Sequence, residues 1–140
     1  MKLNVGVFFG GVSVEHEISV ISALQAIHAL NREKYEAIPV YISKEGVMYT
    51  GSELTQVDNY KDLPTLLNKS TPVSIARMND GVYLIDINFK RFGLPKKTKI
   101  DIAFPIVHGT NCEDGSIQGL FESLRIPYVG CDVLSSAIGM

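Results

Sequence analysis

The sequence predicts an α/β domain: an open, mostly parallel, Rossmann-like sheet flanked by helices, with a small β-hairpin decoration. Three observations carry this expectation. Two short β-branched and aromatic runs, LNVGVFF (3–9) and IDIAFPIVH (100–108), each stop at a polar, glycine-bearing corner, as buried parallel strands do. Between Glu17 and Glu33 the hydrophobic period changes to that of a helix. YEAIPVYIS (35–43) then supplies another strand, completing a strand–helix–strand unit that closes right-handed with its strands parallel.

Each element has its own signal. Val20, Ala23, Leu24, Ile27 and Leu30 recur at i, i+3, i+4 spacing, giving the first helix one apolar face. Ser13 and the acidic residues Glu15 and Glu17 suit its N-terminus. EGVMYT is expected as a short strand, and SELTQVDNYKDLPTLLNK as a surface excursion with one helical turn. In VSIARMNDGVYLIDI, Asn79-Asp80-Gly81 separates two alternating runs and marks a hairpin. Pro105 counts mildly against a central position for the strand that contains it. SIQGLFESL (116–124) is expected as a helix with Ile117, Leu120, Phe121 and Leu124 on one face. IPYVG (126–130) reads as a short strand, and VLSSAIGM starts a further helix that stops without a cap. Residues 1–140 are therefore expected to be one domain of a longer chain.

Bulk composition narrows the function classes. Of 140 residues, 46% are hydrophobic and 20% charged, and thirteen basic against fifteen acidic residues leave a formal charge of −2. That balance argues against an electrostatic nucleic-acid binder. The basic run from Lys90 to Lys99, interrupted by Pro95, reads as a solvated loop. No stretch reaches the roughly 18 apolar residues of a membrane helix, and no signal-peptide cleavage pattern follows the N-terminus. Two cysteines, Cys112 and Cys131, lack CxxC spacing, so a cytoplasmic protein with reduced thiols is expected.

The polar residues concentrate in two corners, FFGGVSVEHEIS (8–19) and HGTNCEDGS (108–116). Ligands of open α/β sheets bind outside the carboxyl ends of the strands. If the two strands are neighbours, both corners open onto one crevice. Gly10 and Gly11 permit backbone conformations and close approach that a Cβ forbids. They do not form GxGxxG, so a dinucleotide site is not indicated. Glu15 and Glu17, at a helix start, are held ionised and suit a ligand's ammonium group; the alternative is that both only compensate the first-turn dipole. His108 follows a buried strand directly and suits proton transfer or a carboxylate partner; the alternative is a histidine satisfied by neighbouring backbone. Glu113 and Asp114 suit N-capping of the helix at Ser116, while Gly109 and Gly115 suit turns. One cysteine and one histidine are too few for a metal site, and Cys131 reads as packing.

With both corners in view, the chain resembles the N-terminal domain of the D-alanine–D-alanine ligases, ATP-grasp enzymes of peptidoglycan synthesis. FGGVSVEHEIS with VISALQAI behind it, HGTNCEDGSIQGLFE, and IPYVGCDVLSSAIGM carry the resemblance, in that order and spacing, over residues 3 to 140 and thinly over 44–99. The resemblance implies that ATP phosphorylates the carboxylate of one D-alanine and that the amino group of a second attacks the acyl phosphate. It implies that Glu15 holds the first ammonium group and that His108 lies near the first substrate's carboxylate. Ile18 would border the methyl pocket, with Ser19 mainly supporting, beside Gly10 and Gly11. Cys112 departs from the glycine common in the family. ATP and Mg²⁺ (or Mn²⁺) are implied for the full-length enzyme, held by central and C-terminal ATP-grasp domains absent from these 140 residues. The residues alone are therefore expected to bind neither strongly and to be inactive. A cytoplasmic homodimer formed through this domain, with no nucleic-acid or membrane partner, is also implied. D-alanine–D-lactate and D-alanine–D-serine ligases share the motifs and stay open as alternatives. A stand-alone α/β binding module is the alternative of another class. A receiver domain is disfavoured because the first strand ends in Gly-Gly and the later one in His.

Overall fold

LNVGVFFG forms the middle of the parallel part of the sheet because both of its faces are covered. The computed structural model describes residues 2–10, 16–88, 95–106 and 116–129. In chain order the elements are β1 (Leu3–Gly10), α1 (His16–Ala29), β2 (Tyr35–Ile42), β3 (Met48–Thr50), two 3₁₀ helices (Ser52–Thr55 and Val57–Asp62), α2 (Leu63–Lys69), β4 (Thr71–Met78), β5 (Gly81–Asp86), β6 (Lys97–Ile100), β7 (Ile102–Ile106) and α3 (Ser116–Leu124). The strands make one seven-stranded sheet in the order β6-β5-β4-β3-β2-β1-β7. β1 pairs in parallel with β2 on one side and with β7 on the other, in the register Phe9↔Ile106 at its tip.

The period of two along β1 separates two cores. Val5, Val7 and Phe9 point to the face covered by α1, where they join Val20, Ala23, Leu24 and Ile27. Phe8 points to the opposite face and joins Ile117 and Phe121 of α3, its ring centroid 4.9 Å from that of Phe121. The helices that follow the adjacent strands β1 and β7 thus lie on opposite sides of the sheet. α1 ends earlier than the expected Glu33. Asn31 stops it: its backbone carbonyl accepts from the N–H groups of Lys34 and Tyr35, and its side-chain oxygen accepts from the Glu33 N–H. α3 ends in a Schellman closure, with Ile126 N–H donating to the Phe121 carbonyl, Arg125 N–H to that of Glu122, and Arg125 at φ 57°.

The α/β class with flanking helices is as expected, but the antiparallel part exceeds a hairpin decoration. β3 to β6 add four antiparallel strands, with β4 and β5 joined at Asn79-Asp80 as the sequence indicates. The run IDIAFPIVH is not one strand. It breaks at Asp101, whose N–H donates to the Asn4 carbonyl and whose carboxylate accepts from the Asn4 N–H. The single-residue break sends β6 to β5 and β7 to β1, so the sheet curls. Gly6 makes the curl fit, because a Cβ there would lie 3.0 Å from Phe8 Cε1 and 3.1 Å from Ile100 Cγ2. The basic run also differs from a plain loop: Lys97 and Lys99 stand on edge strand β6, where charge discourages further pairing. Lys97 Nζ sits 4.9 Å from the Tyr83 ring centroid.

Residues 52–69 do more than cross the surface. Leu54 and Leu66 are buried in the α1-side core, with Tyr60, Leu63 and Leu67 packed against them. Pro105 is tolerated because Ala103, two residues earlier, turns its N–H and carbonyl away from β1, toward Pro127 and Val129. The position of the missing proline N–H therefore faces away from β1 as well. The expected strand at 126–130 is reduced to a parallel bridge between Ala103 and Tyr128.

Candidate functional site

The parallel neighbours β1 and β7 end side by side, and the chain leaves both ends into the two polar corners. Strand order reverses here: β2 lies to one side of β1 and β7 to the other, with their following helices on opposite faces. That is the topological switch point at which α/β sheets open a crevice. The condition set by the sequence, that the two strands be neighbours, is met.

Gly10 closes β1 with φ 93°, a left-handed conformation that turns the chain out of the sheet and suits glycine. Ser19 lies in the first turns of α1 and is 1% exposed. Its Oγ accepts a hydrogen bond from the Gly10 N–H at 2.9 Å and donates one to the carbonyl of Ile106. One hydroxyl therefore joins the last residue of β1 to the last residue of β7. Ile18 is in the same helical turn. Gly11, Glu15, His108, Gly109, Cys112, Glu113, Asp114, Gly115 and Cys131 lie outside the described residues, as do the side chains of Glu17 and Ile18.

Of the predicted site residues, the structure thus brings Gly10 and Ser19 together at the mouth between β1 and β7. Sequence reasoning gave Ser19 only a supporting place. Its spacing of nine residues from Gly10 is visible in the chain, but its bond to Ile106, 87 residues away, has no sequence signature. A separate cavity of about 320 Å³ lies between α1 and residues 57–63, lined by Val20, Ile21, Lys44, Val57, Asp58, Tyr60, Lys61 and Leu63. It contains none of the predicted site residues. Among the described residues no group of three or more His, Cys, Asp and Glu side chains gathers as metal ligands would. No helix among them is long and apolar enough to cross a membrane.

Comparison with known proteins agrees with this geometry. A D-alanine–D-alanine ligase of Thermosipho melanesiensis is 44% identical over 138 residues, which are 99% of this chain and 37% of that protein. The D-alanine-D-alanine ligase structure from Coxiella burnetii superposes with a TM-score of 0.74 at 35% identity, covering 99% of this chain and 38% of the other. The VanG D-Ala:D-Ser ligase of Enterococcus faecalis gives a TM-score of 0.70 at 31% identity, over 98% of this chain and 38% of the other. The chain thus spans little more than a third of the length of these relatives. The family described as D-ala D-ala ligase N-terminus matches residues 4–131, and the chain belongs to it.

Proposed function

We propose that this chain is the first-substrate half of an ATP-dependent D-alanine–D-alanine ligase. The observation that supports the reading is the parallel pairing of β1 with β7, the two strands that the polar corners follow in sequence. In this reading Glu15 accepts hydrogen bonds from the ammonium group of the first D-alanine. His108 lies against its carboxylate, Ile18 borders its methyl group, and Gly10 and Gly11 let the backbone approach. An ionised carboxylate near a helix start is well placed to bind a small zwitterion. ATP is the co-substrate that activates the carboxylate, and the acyl phosphate is then attacked by the second amino group. Phosphoryl transfer needs metal and cationic charge around the phosphates, a task this reading gives to segments beyond the matched third of the enzyme. In this reading the part of this chain is to bind and orient the first substrate. A cytoplasmic location and a homodimer built through this domain complete the proposal.

The test is D-alanine- and ATP-dependent phosphate release by the chain as encoded together with any continuation, and by residues 1–140 alone. The longer enzyme is expected to turn over, with D-serine and D-lactate offered as second substrates to define the product. Residues 1–140 are expected to show none, and turnover by them would overturn the division of labour. Glu15→Gln, which removes a charged partner worth about 1.5–3 kcal/mol, is expected to raise the first-site KM for D-alanine by roughly tenfold to a hundredfold. An unchanged KM would remove Glu15 from the site.

A further inference from the structure

We infer that Ser19 is a positioning residue that fixes the two substrate corners relative to each other, an inference that rests on the proposed ligase reading for its functional consequence. In a parallel ladder the carbonyl of one strand accepts directly from an N–H of its neighbour. Phe9↔Ile106 is the last pair of the β1–β7 register, and the next rung is built differently. The Gly10 N–H donates to Ser19 Oγ, and the Ser19 hydroxyl donates to the Ile106 carbonyl. A hydroxyl from α1 is thus interposed where the two strands part. It satisfies both backbone groups while letting them separate by about the width of one oxygen atom.

Three features make this more than a helix-terminal side chain satisfying itself. The donor and acceptor it joins, the Gly10 N–H and the Ile106 carbonyl, are 96 residues apart in the chain, and they belong to the last residues of β1 and β7, which the two corners follow in sequence. The hydroxyl is 1% exposed, so neither bond can be replaced by bulk water. Gly10 beside it has φ 93°, so the departure angle of the first loop is set at the same point. Ser19 therefore holds the first-corner helix, the β1 tip and the β7 tip at a single atom. Removing the hydroxyl leaves a buried donor and a buried acceptor unpaired and frees the two loop origins to move independently.

The experiment has two arms and uses Ser19→Ala and Ser19→Thr in the chain as encoded, together with any continuation. In the kinetic arm, Ser19→Ala is expected to raise the first-site KM for D-alanine by about tenfold or more while the KM for ATP moves by less than about twofold, and Ser19→Thr, which keeps the hydroxyl, restores most of the loss. Equal shifts in both KM values, or an unchanged D-alanine KM, would overturn the positioning role. In the exchange arm, the Gly10 amide is expected to lose protection by roughly a hundredfold in Ser19→Ala while the Val7 amide in the same strand changes only a few-fold. Uniform loss along β1, or no loss at Gly10, would overturn the clamp itself. If the unsubstituted enzyme shows no D-alanine-dependent turnover, the ligase reading falls and the exchange arm alone decides on Ser19. Should Ser19→Ala not fold, Ser19→Cys, a near-isosteric weak donor, is carried through the same arms.

Discussion

At the antiparallel end of the sheet the turns satisfy themselves locally. Ser43 accepts at both its hydroxyl and its carbonyl, from Val47 and Gly46, and donates its own N–H to Val47, with Gly46 at φ 88°. At the β4–β5 hairpin the Tyr83 hydroxyl donates to Asp80, three residues away, and holds that carboxyl below the usual carboxylate range. At the parallel end the corresponding polar contact spans 87 residues, from Ser19 to Ile106. Local turns can vary in length without disturbing anything distant. A contact between remote segments cannot, and the parallel end is where both candidate corners begin. The geometry of the β1 and β7 tips therefore depends on segments far apart in the chain, whereas that of the antiparallel turns does not.

The two ends nevertheless share a core. Phe8 of β1, Val40 of β2, Val73 of β4, Val82 and Leu84 of β5 and Ile100 of β6 belong to one buried cluster with Ile117 and Phe121. The largest predicted effect breaks that cluster. Phe8→Ala is expected to cost about 3–5 kcal/mol, because Phe8 is fully buried and its ring packs directly on Phe121. Urea unfolding followed by far-ultraviolet circular dichroism and by amide exchange in β5 should show one transition, shifted equally in both. If β5 keeps its protection while α3 melts, the two halves do not share a core.

The middle effect lies at the seam between the parallel strands and residues 52–69. Tyr41 and Tyr60 meet there with ring centroids 5.7 Å apart, and Phe9 is 5.7 Å from Tyr41. Burial, then the charge of Glu45 and the neighbouring Tyr49, pushes the Tyr41 phenol up to about 12. Burial, then Tyr41, raises that of Tyr60, whose hydroxyl donates to the Leu54 carbonyl at 2.7 Å. Both folded-state values lie above the unfolded value, so the folded chain binds these protons more tightly. The stabilisation is complete below pH about 10 and is lost as pH rises through about 12. Denaturation midpoints measured from pH 8 to pH 12 should fall over that window and hold steady below it. Tyr41→Phe should flatten the fall; an unchanged slope would remove Tyr41 as its source.

What the sequence made legible follows from the range of each interaction. The α1 face of Val20, Ala23, Leu24 and Ile27 and the hairpin at Asn79-Asp80 are local patterns, and both are found where expected. Leu54 and Tyr60 were hidden because short 3₁₀ turns impose no 3.6-residue period, and Leu66 because α2, at seven residues, is too short to show one. Lys97 and Lys99 looked like loop residues because an edge strand tolerates on one face what a central strand does not. The Gly6–Ile100 approach and the Ser19 bridge join segments that nothing in the linear chain relates. At the candidate site, Gly10 and Ser19 are placed together, whereas Glu15 and His108 rest on motif and topology.

The smallest effect sharpens the same contrast from the solvent side. Lys61 Nζ lies 3.6 Å from Asp58 Oδ1 at i, i+3 spacing on residues 57–62, and the two side chains are 83% and 84% exposed. Such a pair gains little Coulomb energy in water, orders two mobile side chains and is screened by salt. Lys61→Ala is expected to change stability by less than about 0.5 kcal/mol, with no further change between low and high salt. Leu54 and Leu66, a few residues away in the same segment, are fully or almost fully buried. The segment is therefore held by the apolar residues it places under itself and not by the charges it shows. A loss above about 1 kcal/mol in Lys61→Ala, abolished by salt, would mean that surface charge fixes residues 52–69 after all.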